Sequence, residues 1–487
     1  MLVMLRLGEV TIKSSRVRSR FEGILISNII DALKRHGVQK FSFEKTGGRI
    51  FVEVDREDVI EVLRRVFGIT SLSKVYPLEF ESLDDIVRKA EKIFAEHVKG
   101  RKFAVRVRRT GDHDFTSLDV AREVGAVLYK YSKGVDLKNP DVEVYVEVRG
   151  RKAYFYKDVI RAYGGLPIGS EGRVVALVSG GFDSAVAAWY MLKRGAEVEY
   201  VFCNLGGRVH KIGVINVIRV LAEKWSYGYK PRLHIVDFSE IMKEIIEKCD
   251  RRLAGLVFKR LIYRVAEKIA EEVNAKAIVT GESLGQVSSQ TLQNLYVTSL
   301  VVHLPIFRPL IGFDKDEIIK MAKEIGTYSA SERVKEYCAI FSYKPKTRAR
   351  VEEVEEEERK IDFTLLEKAI KEREVVDLLS ISLPDIIEKL EVTEVPEDAV
   401  VIDIRDPSKY LKWHYPGAIN IPFYEIVEKL PQLDRNKKYV FYCEEGSLSL
   451  DLAYEARNLG IKAYSIRGGA EKLRKRCEKS KKYENNK

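Results

Sequence analysis

Two short stretches of this chain combine residue types suited to chemistry. In Ser179-Gly180-Gly181-Phe182-Asp183-Ser184, paired glycines stand between an apolar run and a helical pattern. Val174 to Val178 is short, β-branched and unbroken, as a buried parallel strand is. Ala185 to Arg194 reads as a helix stopped by Gly195, and Val198 to Phe202 as the next strand. Glycines let the turn bend tightly and bring N–H groups close to a ligand. The helix N-terminus adds unpaired N–H groups and a partial positive charge, so the unit makes a cradle for an anion, most simply a phosphate. The Lys-Ser/Thr pair of a Walker loop is absent, and so are the spaced glycines of a dinucleotide fingerprint. In the second stretch, Tyr439 to Tyr442 reads as a strand that delivers Cys443 into Glu444-Glu445-Gly446-Ser447-Leu448-Ser449, ahead of a helix to Leu459. At such a turn, N–H groups and a helix dipole stabilise a thiolate or persulfide. Glu444 and Glu445 oppose that effect by placing negative charge beside the sulfur.

Around these stretches the chain reads as a series of α/β modules. Its 487 residues suggest roughly three or four domains, and 32% charged with 45% hydrophobic residues describe a globular chain. The formal charge of +11 favours a polyanionic partner. No apolar stretch is long enough to span a bilayer and the N-terminus is unlike a signal peptide, so a cytoplasmic location is expected. Five scattered cysteines, Cys203, Cys249, Cys338, Cys443 and Cys477, argue against a disulfide framework, and no cluster suggests a metal held by side chains.

Residues 1–55 alternate strand and helix patterns in a small α+β layer; the basic segment Lys13 to Arg20 could grip phosphates or be a solvated loop. Residues 56–160 form a second α/β unit. There Phe103, Val105 and Val107 alternate with Lys102, Arg106 and Arg108, and Arg109 extends the basic row. Like charges so close repel unless an anion answers them, so contact with an RNA backbone is expected for Lys102, Arg106, Arg108 and Arg109. Residues 170–345 hold the glycine loop and a buried strand, Ala277 to Thr280, leading into the polar loop Gly281 to Thr291. Open α/β sheets bind ligands at the carboxyl ends of their strands, so the two loops should converge on one nucleotide. Residues 346–395, with acidic runs at Glu352-Glu353 and Glu355 to Glu358, read as a solvated helix and linker. Residues 396–487 form a separate α/β domain around Cys443.

The glycine loop resembles the PP-loop of ATP pyrophosphatases, which split ATP between its α and β phosphates. Phe103 to Arg109, Gly125 and Val135 to Asp141 resemble a THUMP domain, an RNA-binding module of tRNA-modifying enzymes. Asp403-x-Arg405, His414-x-Pro416-Gly417-Ala418-x-Asn420-x-Pro422 and the Cys443 turn resemble a rhodanese domain. Joined in order with Gly281 to Thr291, Arg308 to Ile311, Asp314-Lys315 and Glu336-Tyr337-Cys338, they resemble the tRNA 4-thiouridine synthetase family over the whole chain, in its long form with a C-terminal rhodanese domain. These tRNA uracil 4-sulfurtransferases are also tied to thiamine biosynthesis.

The resemblance implies an α/β multidomain chain: a ferredoxin-like domain at 1–55, THUMP at 56–160, a PP-loop domain with a parallel sheet at 170–345 and rhodanese at 396–487. It implies ATP with Mg²⁺, held by Leu177, Val178, Ser179, Gly180, Gly181, Ser184, Phe202, Cys203, Lys259, Gly281 and Gln290. Asp183 would position the Mg²⁺-pyrophosphate or the reacting group. A Cys443 persulfide would deliver sulfur to an O4-adenylated uridine, expected at position 8 of tRNA. Cys338 would then resolve the linkage and leave a Cys338–Cys443 disulfide, or free hydrosulfide in an alternative route. The implied partners are tRNA, a cysteine desulfurase or other persulfide donor, and a sulfur-carrier protein for thiamine; a homodimer is one assembly open to it. Ala185 departs from the proline that many relatives place at the first helical position. Two rival readings stand beside this one: another PP-loop enzyme that adenylates RNA, and a non-catalytic RNA-binding protein with a sulfur-relay rhodanese module.

Overall fold

The structure, a computed structural model, describes all residues except 47, 206, 333, 335–343, 382–389, 445 and 485–487, and omits the side chains of 208–209, 424, 428, 447 and 477–484. It divides into two compact units, Met1–Gly172 with Leu192–Glu197 and Lys224–Tyr229, and Arg173–Met191 with Val198–Glu223 and Lys230–Lys487. No helix among the described residues is long and apolar enough to cross a membrane.

The first unit is built on a 9-stranded sheet. Its strands are β1 (Leu2–Leu7), β2 (Phe41–Thr46), β3 (Arg49–Val54), β4 (Ile69–Glu79), β5 (Lys102–Thr110), β6 (Gly134–Val135), β7 (Val142–Arg149), β8 (Lys152–Tyr156) and β9 (Ile160–Arg161). The order is β2-β3-β1-β4-β8-β7-β5-β6, with β9 also on β4. β4 is long enough to serve both halves: Ile69 to Val75 pair with β1, and Tyr76 to Glu79 with β8. Helix α1 (Ser15–Arg35) buries Phe21, Leu25, Ile29 and Leu33 against Val3, Leu5, Ile50 and Val52. The basic segment from Lys13 is therefore largely the first turns of a helix, not a loop. Helices α2 (Leu83–Val98) and α3 (Ser117–Tyr129) each present an apolar residue every fourth position: Ile86, Ala90, Phe94 and Val98, then Val120, Val124 and Leu128. These close over Phe103, Val144, Val146 and Val148.

The second unit carries a 6-stranded sheet in the order β14-β13-β10-β11-β12-β15. The strands are β10 (Arg173–Leu177), β11 (Glu197–Asn204), β12 (Arg232–Asp237), β13 (Ile278–Val279), β14 (Ile306–Phe307) and β15 (Glu374–Asp377). β10, β13 and β14 run parallel, as do β11 and β12. Between them lie α4 (Phe182–Lys193), α5 (Gly207–Trp225) and α6 (Ala254–Glu272), followed by α7 (Lys315–Ile325). Asp314 caps α7 by accepting the Glu317 N–H, and Gly326 ends it in the left-handed conformation.

The acidic segment expected to be a solvated linker is instead part of this layer. Helices α8 (Val351–Glu358) and α9 (Phe363–Lys371), with the turn between them, bury Val354, Ile361, Leu366 and Ile370 in the same cluster as Leu261, Val265 and Ile269 of α6. β15 then adds an antiparallel edge to β12. The glutamates around them, all but the buried Glu358 more exposed, left the four apolar positions inconspicuous.

A 5-stranded parallel sheet follows, in the order β16-β20-β19-β17-β18. It comprises β16 (Glu391–Val392), β17 (Ala399–Asp403), β18 (Ile419–Asn420), β19 (Lys438–Tyr442) and β20 (Lys462–Ile466), with α10 (Ser447–Asn458) and α11 (Gly469–Glu484). Along β19, Tyr439 and Phe441 enter one apolar cluster and Val440 and Tyr442 another, the two-residue period of a strand covered on both faces.

Candidate active site

The glycine loop forms where β10 hands over to α4. Gly180 has φ +83, which favours glycine, and a Cβ there would lie 2.6 Å from Val334. Ser184 ties the turn: its hydroxyl donates to the Gly181 carbonyl at 3.2 Å and accepts the Ser179 N–H at 3.4 Å. Gly281 lets the second loop press against the start of α4, since a Cβ on it would sit 2.6 Å from the Asp183 carbonyl carbon and the Ser184 nitrogen. The two loops converge on a cavity of about 1000 Å³. Of the residues expected to touch nucleotide, all but Gly180 line it, and Asp183 lines it too.

Its electrostatics are set by two carboxylates. Asp183 accepts from Lys315 Nζ at 2.8 and 3.0 Å and from Gln286 Nε2 at 2.9 Å. Glu282 is 5% exposed and accepts from Lys259 (2.7 Å), Tyr263 (2.7 Å), Arg308 (2.8 Å) and Thr280 (3.0 Å). Burial alone would raise its pKa; the charges of Lys259 and Arg308, with the hydrogen bonds, outweigh it and hold the carboxyl at about 2. Burial pushes the Cys203 thiol far above its ordinary value, so at neutral pH it lines the cavity as a neutral group. Burial likewise lowers His210 to about 4, against a hydrogen bond to the Ser179 carbonyl, which leaves a neutral ring on the loop. Lys315, Glu282 and Gln286 stood inside the quoted motifs without a role. His210 had no local signal at all, because only the fold brings it to Ser179.

Cys443 sits at the carboxyl end of β19, 5% exposed. The Gly446 N–H donates to its Sγ at 2.9 Å and the Ser449 hydroxyl at 3.6 Å. Gly446 takes φ +91, which turns that N–H inward. Glu444, expected to burden the sulfur with negative charge, is answered by Lys409 at 3.2 Å and Arg405 at 3.6 Å. Arg405 is itself anchored on Asp403 at 2.7 Å and the Trp413 carbonyl at 2.6 Å. Glu444 also lines the nucleotide-sized cavity, beside Ser179 and Gly181. Cys338 and Glu445 lie outside the described residues, and with Cys338 the expected disulfide. Cys249 is buried, donates to the Glu357 carbonyl at 3.5 Å and is pushed up to about 11 by burial, as a structural thiol is. Among the described residues no group of His, Cys, Asp or Glu is placed to hold a metal ion.

The basic row on β5 is less bare than its sequence suggests. Arg106 donates to Glu143 at 2.6 Å and to the Leu137 carbonyl at 2.9 Å, and Lys102 lies 3.8 Å from Asp136. Arg109 donates to the Gly111 carbonyl and meets His113, both at 3.0 Å. Arg108 is exposed and has no ion-pair partner among the described residues. The anion that answers Arg106 is thus a carboxylate of the neighbouring strand, while neither Arg108 nor Arg109 has a carboxylate partner among the described residues.

Residues 2–73 match the family described as ThiI ferredoxin-like domain, 80–158 the THUMP domain, 169–363 thiamine biosynthesis protein (ThiI) and 386–476 the rhodanese-like domain. The tRNA sulfurtransferase of Pyrobaculum aerophilum is 43% identical over 475 residues, 96% of either chain. That of Desulfurococcus amylolyticus is 44% identical over 478 residues, 97% of this chain and 98% of the relative. A solved 4-thiouridine synthetase in complex with RNA and bound ATP superposes with a TM-score of 0.68 at 34% identity, covering 77% of this chain and 98% of that one. Identity at this level across nearly the full length makes the chain a member of the tRNA sulfurtransferase family.

Proposed function

We propose that this chain is an ATP-dependent sulfurtransferase that converts a uridine of tRNA, at position 8, to 4-thiouridine in the cytoplasm. One observation carries the reading: the cavity of the glycine loop has Glu444, the neighbour of Cys443, in its wall. The loop that carries Cys443 and the glycine loop thereby border one cavity, which supports joining activation to sulfur delivery.

The C4 carbonyl of uracil is a poor electrophile, and oxide is a poor leaving group. Attack of O4 on the α-phosphate of ATP breaks the bond to the bridging oxygen, expels pyrophosphate and leaves an O4-adenylate. The loop N–H groups, the start of α4 and Lys259 stand ready for the charge that gathers on the phosphates. Glu282 holds Lys259 and Arg308 in fixed positions at the back of the cavity. Magnesium bound with ATP would screen that charge, and Asp183 at the glycine loop is the carboxylate that would meet it. Gln286, bonded to Asp183, keeps its buried Oε1 without a partner among the described residues, which fits a polar group awaiting a ligand.

The terminal sulfur of a Cys443 persulfide then attacks C4, and AMP leaves with the old O4. The product is a C4–S–S–Cys443 disulfide. The Cys338 thiolate attacks the Cys443 sulfur, releases 4-thiouridine as its thiolate and leaves a Cys338–Cys443 disulfide. A dithiol reductant reopens it. The Gly446 N–H and Ser449 hydroxyl on Sγ support the sulfur anion through each exchange. A cysteine desulfurase or similar persulfide protein supplies the sulfur. The match of residues 169–363 to a family named for thiamine biosynthesis favours a second use of the same sulfur, passed to a carrier protein for thiazole synthesis.

Mass spectrometry of tRNA after incubation with ATP, Mg²⁺ and a persulfide donor tests the scheme. The wild-type chain should add one sulfur in place of oxygen, and Cys443→Ala and Cys338→Ala should each add none. Asp183→Ala should lose thiolation by a factor on the order of a hundred or more while Cys443 still becomes persulfidated. Full thiolation by either cysteine variant, with the persulfide protein as sole donor, rejects the proposal.

A further inference from the structure

The module around Cys443 supplies more than sulfur to the cavity. Glu444, Gly468, Glu471 and Lys472 form part of its wall, as do Ser179 and Gly181 of the glycine loop. The seat of the module is α5. Ile212 of that helix, 6% exposed, lies in the apolar cluster that holds Cys443, Leu450 and Tyr454. A Cβ on Gly207 would come within 3.2 Å of the Asp451 carboxylate, so the two surfaces touch along the first turn of α5.

The charges that the module brings are unequal. Glu444 is paired with Lys409 and Arg405, and Glu471 with Lys475 at 2.6 Å. Lys472 is exposed, packs its stem along Gly468 and has no carboxylate partner among the described residues. Gly468 at φ +82 leaves the space that the stem occupies. Among the described residues that the module gives to the wall, Lys472 is the one cation, and no direct ion pair holds it away from the cavity.

We propose that Lys472 binds the phosphates of the nucleotide, so that the C-terminal module completes the ATP site when it is seated on α5. Linkage makes the effect reciprocal: ATP that gains affinity from the seated module must hold the module in its seat by the same factor. Cys443 is nearly inaccessible in the seated state, so ATP also shields it. The inference rests on the cavity being the ATP site, and the test separates the two.

ATP–Mg²⁺ binding to the full-length chain is measured by calorimetry for wild type, Lys472→Ala, Lys472→Glu, Asp183→Ala and Lys412→Ala, an exposed lysine of the same module outside the cavity. Losing one charge-assisted contact to phosphate should weaken ATP binding by about five- to tenfold in Lys472→Ala and further in Lys472→Glu. Lys412→Ala should match wild type, and adenosine, which lacks phosphate, should bind wild type and Lys472→Ala equally. ATP should slow alkylation of Cys443 in wild type, followed by peptide mass spectrometry, and slow it less in Lys472→Ala. Unchanged ATP affinity in Lys472→Ala, with Asp183→Ala weakened, overturns this inference and leaves the ATP site standing. A loss of tRNA binding without a loss of ATP binding overturns it as well, since the charge would then serve RNA. A wild-type chain that binds no ATP removes the ATP site itself.

Discussion

Glu282 is a full negative charge buried at the back of a pocket meant for an anion. The four groups that it accepts from explain it. Lys259 and Arg308 would otherwise be two desolvated cations free to choose their positions, and Glu282 fixes both. Removing its charge while keeping its shape, as Glu282→Gln does, leaves those cations without a counter-charge and should cost about 3–5 kcal/mol of stability. Urea unfolding at neutral pH checks this. The pH dependence follows from the direction of the shift. The folded carboxyl titrates near 2, below its ordinary 4.5, so its contribution is complete above about pH 4.5 and lost as pH falls toward 2. The stability gap between wild type and Glu282→Gln should therefore hold at neutral pH and narrow from about pH 4.5 downward. A gap that stays constant through that window would mean that the carboxylate is not held ionised by its neighbours.

The elements that position the site divide into those legible in the chain and those not. Val174 to Val178, the glycine turn and the helix stopped by Gly195 are local signals, and the strand, loop and helix stand where they point. The convergence of the Gly281 loop on that turn followed from the general habit of parallel sheets. What escaped depends on partners far off in sequence. The acidic run looked solvated because Arg359 and Lys360 follow it directly and seem to answer it locally; the partners of Glu358 are instead Arg260, 98 positions earlier, at 2.8 Å, and Arg264 at 3.0 Å. The row on β5 looked like bare charge for a similar reason, because Glu143 answers Arg106 from 37 positions on. The strap of α8 and α9 thus grips α6 through a buried ion pair next to Lys259. Glu358→Ala removes the nearer carboxylate of Arg260, 2% exposed, and leaves it the more distant Glu355 at 3.6 Å. It should destabilise the second unit by about 3–5 kcal/mol and, by loosening α6, weaken ATP binding as well. Denaturant unfolding and nucleotide calorimetry on the one variant test both; a wild-type unfolding midpoint would show that the strap only decorates the domain.

At the scale of the whole molecule, the proposed sulfur carrier Cys443 and the proposed nucleotide cavity belong to one chain, with Glu444 in the cavity wall and Ile212 in the apolar cluster of Cys443. Transfer inside a single chain is the consequence, and mixing two defective chains tests it. Asp183→Ala keeps the carrier and lacks activation; Cys443→Ser keeps activation and lacks the carrier. A tethered carrier works at an effective concentration on the order of millimolar, so at micromolar enzyme a carrier borrowed from another chain is at a disadvantage on the order of a thousandfold. The mixture should therefore thiolate tRNA at less than about one per cent of the wild-type rate. Dilution distinguishes the routes a second way. Turnover per wild-type chain should not change with enzyme concentration, whereas any residual activity of the mixture should rise in proportion to it. A mixture that recovers a substantial fraction of wild-type activity, at a rate that survives dilution, would place the carrier of one copy over the cavity of another and make a stable dimer the working unit.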